Sequence, residues 1–136
     1  MSNPTLHVVA GALFDAAGNV LIAQRPPGKH MAGSWEFPGG KVASSESVLA
    51  ALKRELREEL AIEVKLAQRL IAYTHHYPDR SVLLDLWHVI KYEGTPSSAE
   101  GQPIKWVSVQ NLAAEGLLDA DRPMIEPLQK LRPPRG

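Results

Sequence analysis

The sequence contains no cysteine, and this absence excludes several kinds of site at once. A chain without thiols has no disulfide, no thiolate nucleophile and no cysteine-ligated metal. The chain also lacks net charge, because 15 Lys and Arg residues balance 15 Asp and Glu residues. It therefore has no basic excess of the kind that recognises nucleic acid or an anionic membrane. We expect neither of these partners, and we infer no obligate protein partner.

Long hydrophobic runs are also missing. No apolar stretch is long enough to span a bilayer, and the first eleven residues carry no basic segment typical of a signal peptide. We therefore expect a cytoplasmic protein. A length of 136 residues with 44% hydrophobic residues predicts one domain over residues 1–131, followed by a flexible tail over residues 132–136.

Hydrophobic patterning predicts strands on both sides of one strong helix. The first two strands are expected to form a hairpin through a turn at residues 15–19, and a short extended piece is expected over residues 35–37. The predicted strands cover residues 6–14, 20–24, 63–77, 81–92 and 105–109. Together with the helices, they predict an α/β fold with a mixed sheet between helices.

The main helix is predicted from Glu46 to Leu60, capped by Ser44 or Ser45. Its apolar stripe has helical spacing and comprises Val48, Leu49, Leu52, Leu56 and Leu60. A last helix is predicted to begin at Asp121 as N-cap, with Pro123 in its first turn. Because Pro127 conflicts with a regular helix interior, we expect this helix to be short or kinked.

Three carboxylates stand at neighbouring positions on the main helix. Glu55, Glu58 and Glu59 lie at i, i+3 and i+4, so their charges repel unless a cation lies among them. Mg²⁺ prefers such oxygen ligands, and the absence of nearby His and Cys argues against zinc. The alternative is a solvated helix face with ion pairs such as Arg54–Glu58. Glycines and Lys41 just before the helix favour the metal site.

The complete pattern resembles the Nudix box of hydrolases that act on nucleoside diphosphates linked to another group. Its spacing is Gly-x5-Glu-x7-Arg-Glu-Leu-x-Glu-Glu, and its residues are Gly40, Glu46, Arg54, Glu55, Leu56, Glu58 and Glu59. Residues 33–41, 77–80 and 100–103 are similar to the MutT branch of that superfamily. The resemblance implies a Nudix α/β/α sandwich that hydrolyses a nucleoside triphosphate to the monophosphate and pyrophosphate, with Mg²⁺ or Mn²⁺.

The resemblance also implies a role for individual residues. It gives metal ligands at Gly39 (through its carbonyl), Glu55, Glu58, Glu59 and Glu100. It gives catalytic roles to Glu55, Glu58, Glu100 and Arg54, with the general base left open between carboxylates such as Glu55 and Glu100. Gly40 and Glu46, together with Arg54, would organise the loop before the helix. Substrate contacts are expected from Arg25, His30, Phe37, Gly40, Lys41, Arg80 and Asp121, although the Phe37 ring can equally serve packing.

Two positions depart from the family pattern. Ala61 stands where the box has glycine, which provides no ligand and often ends a helix in the left-handed region. Asp121 stands where MutT has the asparagine that recognises 8-oxoguanine. An ionised Asp only accepts hydrogen bonds, whereas Asn both donates and accepts. Asp121 can therefore accept from a cytosine amino group, and related enzymes acting on CTP carry a similar segment.

These departures leave three functions open. The first is a DNA-repair enzyme that removes oxidised nucleotides, chiefly 8-oxo-dGTP, before DNA replication. The second is a pyrophosphohydrolase of CTP or dCTP. The third is a non-catalytic domain that senses nucleotides, which the complete set of Glu55, Glu58 and Glu59 argues against.

Overall fold

The computed structural model describes residues 5–131 of the chain. Seven strands are present: β1 (Thr5–Ala12), β2 (Asn19–Gln24), β3 (Trp35–Glu36), β4 (Gly39–Lys41), β5 (Glu63–His76), β6 (Ser81–Glu93) and β7 (Ile104–Ser108). The helical elements are α1 (Val48–Leu60), two 3₁₀-helices (Val109–Ala114 and Asp119–Met124) and α2 (Ile125–Lys130).

The strands divide between two sheets. The larger has the order β4-β1-β6-β5 and is mixed, because β1 and β6 run parallel while the other pairs are antiparallel. The smaller, with the order β3-β2-β7, is antiparallel. The predicted mixed sheet is confirmed, and the predicted hairpin is confirmed only next to its turn. There, antiparallel pairing joins Phe14 to Val20, and the N–H of Leu21 donates to the Leu13 carbonyl at 3.1 Å. Beyond these residues, β1 and β2 belong to different sheets.

Helices cover both faces of the larger sheet, as the predicted sandwich requires. On one face of β1, Val9 packs with Leu56 and the rest of the apolar stripe of α1. On the other face, Ala10 and Ala12 pack with residues of the C-terminal helices such as Met124. This alternation explains why β1 reads as a continuous apolar run.

Helix α1 begins two residues later than predicted and ends at Leu60, as predicted. The Oγ of Ser47 accepts a hydrogen bond from the N–H of Ala50 at 3.1 Å, so Ser47 is the N-cap rather than Ser44 or Ser45. At the other end, Ala61 adopts the left-handed conformation with φ 58° and ψ 38°. An alanine therefore occupies the position where glycine is favoured, at a cost of about 1 kcal/mol.

The C-terminal helices are short, as predicted, but Asp121 does not cap one. Asp121 lies within the second 3₁₀-helix with 5% exposure, and Leu118 precedes that helix without a side-chain cap. Pro127 lies in the first turn of α2, where it removes no intrahelical hydrogen bond. The tail predicted over residues 132–136 lies outside the described residues. Within residues 5–131, no helix has the length and apolar character needed to cross a bilayer.

Candidate active site

Two glycines of β4 bring the backbone against the carboxylates of α1. A Cβ atom on Gly39 would lie 1.9 Å from the Val9 carbonyl oxygen, and one on Gly40 would lie 2.4 Å from the Glu55 carboxylate. The N–H of Gly39 donates to Oε2 of Glu59 at 3.1 Å. A side chain at Gly39 would collide with backbone, and one at Gly40 would displace the Glu55 carboxylate, so this close approach depends on glycine and places Glu55 and Glu59 beside β4.

Arg54 ties the loop before α1 to the helix. Its Nε donates to Oε2 of Glu46 at 3.1 Å, its Nη2 donates to the Lys41 carbonyl at 2.9 Å, and its Nη1 donates to Oε1 of Glu55 at 2.8 Å. Glu46 also accepts the N–H of Ala43 at 2.9 Å. These two sets of hydrogen bonds lower the pKa of Glu46 to about 2, so the Glu46–Arg54 pair stays charged across the physiological range.

Glu59 is repelled by neighbouring carboxylates. Burial, together with the charges of Glu55, Glu36 and Glu100, raises its pKa to about 8, while the Gly39 N–H opposes this shift. Glu100 is near because its loop is fixed to the end of α1. The N–H of Ala99 donates to the Glu59 carbonyl at 3.0 Å, and Gln102 donates to that carbonyl as well.

We call Glu55, Glu58, Glu59 and Glu100 the carboxylate cluster. Within residues 5–131, no three His, Cys, Asp or Glu side chains are grouped closely enough to hold a metal ion. Glu58 is 52% exposed and lies 3.5 Å from Arg54, and Glu100 is also exposed. The donors fit a hard divalent cation, because they are oxygen ligands and their mutual repulsion is what a cation relieves.

A second group of polar residues surrounds Asp121. One oxygen of its carboxylate accepts the N–H of Phe37 at 3.3 Å. Burial, and next the charge of Glu36, raise the pKa of Asp121 to about 7. Glu36 forms an ion pair with Arg25, whose Nε lies 3.0 Å from Oε2, and burial nevertheless raises the pKa of Glu36. At neutral pH, Asp121 therefore exists in both protonation states.

Aromatic rings complete the surroundings of Asp121. Tyr77 meets His30 and His75 edge to face, with ring centroids 5.9 Å and 4.6 Å away. Burial raises the pKa of Tyr77, and the charges of Arg25 and Arg80 oppose this shift, so Arg80 also lies toward this ring. We call Arg25, Glu36, Tyr73, Tyr77 and Asp121 the Asp121 pocket.

The structure thus gathers most of the predicted site residues into two neighbouring regions. Phe37 is the exception, because its ring is 2% exposed and packs in the core. Stacking of that ring on a base is not available in this arrangement, and packing is its role. Lys41 is exposed, and its carbonyl, rather than its ammonium group, makes the contact with Arg54.

Three pocket residues were not predicted as substrate contacts, namely Glu36, Tyr73 and Tyr77. Glu36 is a lone charge in a short apolar segment, directly before Phe37. This charge is the sequence feature that could have identified Glu36 as a site residue. Tyr73 lies on β5, and its hydroxyl donates to the Ala120 carbonyl at 2.5 Å. From sequence alone, Tyr73 is indistinguishable from core or pocket wall.

Known proteins resemble this chain over both regions. Residues 9–127 match the family described as NUDIX domain. The CTP pyrophosphohydrolase of Escherichia coli K12 is 39% identical over 127 residues, which are 93% of this chain and 94% of that protein. The 8-oxo-dGTP diphosphatase of Escherichia coli K12 is 34% identical over 126 residues, covering 93% of this chain and 98% of the relative.

A solved structure also resembles this chain over most of its length. A structure from work on MutT of Aliivibrio salmonicida and Vibrio cholerae superposes with a TM-score of 0.80 and 33% identity. The match covers 92% of this chain and 97% of that chain. The likeness therefore extends over both the carboxylate cluster and the Asp121 pocket.

Proposed function

This chain belongs to the NUDIX domain family and is a Nudix hydrolase, and we propose that it converts nucleoside triphosphates to monophosphates and pyrophosphate. We further propose that 8-oxo-dGTP is its main substrate, which makes it a sanitising enzyme for the nucleotide pool. The observation that carries this choice is the Asp121 carboxylate, buried among pocket residues with one hydrogen bond to Phe37.

The carboxylate cluster supports the hydrolytic half of the proposal. Nudix hydrolases generally use a divalent metal, and we propose Mg²⁺ or Mn²⁺, held by Glu55, Glu58, Glu59, Glu100 and the Gly39 carbonyl. The metal, when bound, neutralises phosphate oxygens and lowers the pKa of water. A carboxylate of the cluster, Glu55 or Glu100, takes the proton as water attacks phosphorus in line.

Arg54 holds Glu55 ready for this role. Its contacts with Glu55 and Glu46 set the carboxylate against Gly40. A fixed carboxylate loses less entropy on reaching the transition state than a mobile one. Arg54 is therefore proposed to act through Glu55, and Lys41 is proposed to lie near the phosphates.

The Asp121 pocket supports recognition of the oxidised base. The Hoogsteen edge of 8-oxoguanine donates from N7–H and accepts at O6. A neutral carboxyl group meets both needs, because its carbonyl oxygen accepts and its hydroxyl donates. Since burial raises the pKa of Asp121 to about 7, the neutral form is present at physiological pH, and Asp121 then has the hydrogen-bonding capacity of an asparagine.

A second candidate is hydrolysis of CTP or dCTP. The ionised form of Asp121 accepts hydrogen bonds, as recognition of the cytosine amino group requires. The 39% identity to a CTP pyrophosphohydrolase favours this candidate as well. Both substrates are nucleotides of the cell interior, and we propose that the enzyme works in the cytoplasm.

The test is pyrophosphate release from 8-oxo-dGTP, dGTP, CTP, dCTP and ADP-ribose, with Mg²⁺ or Mn²⁺ and with neither. We expect metal-dependent release with the highest kcat/KM for 8-oxo-dGTP. In Asp121→Asn the preference should move further toward 8-oxo-dGTP, while Asp119→Asn, a change at an exposed neighbour, serves as the matched control. A preference for cytosine nucleotides would establish the second candidate, and unchanged kcat/KM ratios between 8-oxo-dGTP and the other nucleotides in Asp121→Asn would remove Asp121 as the base-recognition residue.

A further inference from the structure

Tyr73 joins the larger sheet to the second 3₁₀-helix. It lies on β5 of the larger sheet, and its hydroxyl donates to the carbonyl of Ala120, 47 residues later in the chain. Its ring packs against the same core cluster as Ala120 and Met124. The hydroxyl thus reaches the peptide that directly precedes Asp121.

We call residues 116–121 the Asp121 segment, and the other hydrogen bonds that tie it to distant residues come from residues 35–37. Trp35 of β3 donates its N–H to the Gly116 carbonyl at 3.1 Å and accepts the N–H of Leu118 at 3.0 Å. The N–H of Asp121 donates to the Leu118 carbonyl at 2.9 Å. Among residues 5–131, Tyr73 provides the one side-chain hydrogen bond that joins the segment to the larger sheet.

The group that accepts the hydrogen bond of the Tyr73 hydroxyl matters for Asp121. Burial and the nearby charge of Asp121 raise the pKa of Tyr73, so its hydroxyl keeps its proton and remains a donor. That proton goes to the Ala120 carbonyl and not to the carboxylate of Asp121. In the described part of the chain, the Phe37 N–H is the one recorded donor to that carboxylate, so hydrogen-bonding capacity remains for a ligand.

We propose that Tyr73 is a positioning residue for base selection. By fixing the Ala120–Asp121 peptide through its hydroxyl, it holds the Asp121 carboxylate against Phe37 with capacity left for the nucleobase. The proposal rests on the proposed function, in which Asp121 recognises the base. Tyr73 itself touches neither the phosphates nor the carboxylate cluster, so its effect should fall on discrimination between bases.

The direct test is Tyr73→Phe, which removes the hydroxyl and keeps the ring in the core. The control is Tyr92→Phe, the same change at a half-buried tyrosine of β6 that packs on the opposite face with α1. For both variants, kcat and KM are measured on 8-oxo-dGTP, dGTP and CTP, at a temperature where circular dichroism shows each variant folded. In Tyr73→Phe we expect the ratio of kcat/KM between best and worst base to fall about tenfold, through KM, while kcat on the best substrate stays within threefold.

A double variant tells a positioning role from a structural one. If Tyr73 acts through Asp121, Tyr73→Phe should leave the base ranking unchanged once Asp121→Ala is present. An unaltered kcat/KM ratio between bases in Tyr73→Phe, beside an altered one in Asp121→Ala, would overturn the positioning role and leave the proposed function intact. Equal losses on every nucleotide would overturn it too. An unaltered ratio in Asp121→Ala would instead overturn base recognition by Asp121, and with it the role of Tyr73.

Discussion

The carboxylate cluster and the Asp121 pocket each contain a buried carboxylate with a raised pKa, yet their charges are balanced differently. Around Glu59, the next largest contribution after burial is repulsion from Glu55, and Glu36 and Glu100 add to it. Around Asp121, repulsion from Glu36 is opposed by the charge of Arg25. The cluster therefore carries an excess of negative charge, while the pocket is close to balanced.

The two regions therefore use a raised carboxylate pKa in different ways. An excess of like charges is relieved by a cation, which fits the phosphate end of a nucleotide. A balanced pocket with one carboxylate near its pKa instead provides hydrogen bonds to an uncharged base. A raised pKa alone does not distinguish these uses, and the neighbouring charges do.

Replacing Glu55 by Gln tests the cluster with the largest expected effect. The amide keeps the shape against Gly40 but loses the charge that holds metal or takes a proton. We expect turnover to fall by at least about 10³-fold, with little change in melting temperature. Glu63→Gln is the matched control, because Glu63 pairs with Arg57 at the exposed surface. Near-normal pyrophosphate release in Glu55→Gln would remove Glu55 from the mechanism.

Gly40→Ala tests whether the position of Glu55 matters as well as its charge. The added Cβ would lie 2.4 Å from the Glu55 carboxylate, which is the flexible end of its side chain and can move aside. We therefore expect a small change in stability but a loss of turnover of about 10²-fold. The double variant with Glu55→Gln should lose nothing further, and a further loss would mean that Gly40 acts independently of Glu55.

Three of the four carboxylates of the cluster lie close together in the sequence, so their neighbourhood was predictable, whereas Glu100 belongs to a later loop. Helical spacing places Glu55 beside Glu59, and glycine before the helix indicates close backbone approach. The pairing of β4 with β1 was not predictable, since a three-residue strand leaves no hydrophobic pattern. The start of α1 was misplaced because Ser44, Ser45 and Ser47 are all suitable caps, and local sequence alone does not choose among them.

The Asp121 pocket was predictable only in part because distant segments form it. Asp121 was selected by family resemblance and misread as a helix cap, since aspartate suits an N-cap in any sequence. Its actual acceptor role depends on the N–H of Phe37, which directly follows β3 and lies 84 residues earlier in the chain. The partnership of β1 with β6 rather than β2 is a similar case, because the choice between two apolar partners is made by tertiary packing.

Asp121→Asn also tests the pocket through stability. The folded-state pKa of about 7 lies above the ordinary value of 3.8, so the folded protein holds this proton more tightly than the unfolded chain. The ionised carboxylate therefore costs stability, and this cost is nearly absent below pH 4 and complete above about pH 7. Relative to wild type, Asp121→Asn should gain about 2–3 kcal/mol between pH 5 and pH 8.

The measurement is denaturant unfolding of metal-free protein at several pH values. Asp119→Asn provides the control, because the Asp119 side chain is 86% exposed and lies two residues away. Its stability difference from wild type should stay flat over the same range. Parallel pH profiles for Asp121→Asn and wild type would show that Asp121 is not a perturbed carboxylate, and the contrast between the two regions would then fail.

The smallest expected effect comes from Ala61→Gly, at the end of the helix that carries the cluster. Ala61 has φ 58°, a conformation that glycine adopts without strain, so the variant should gain about 1 kcal/mol and melt about 3 °C higher. Ala50→Gly, at an exposed position in the same helix, should lose stability instead. Because Ala61 provides no ligand and Arg54 and the β4 glycines set the position of Glu55, turnover should stay unchanged. A large rate change in Ala61→Gly would mean that the end of α1 also sets the geometry of the cluster.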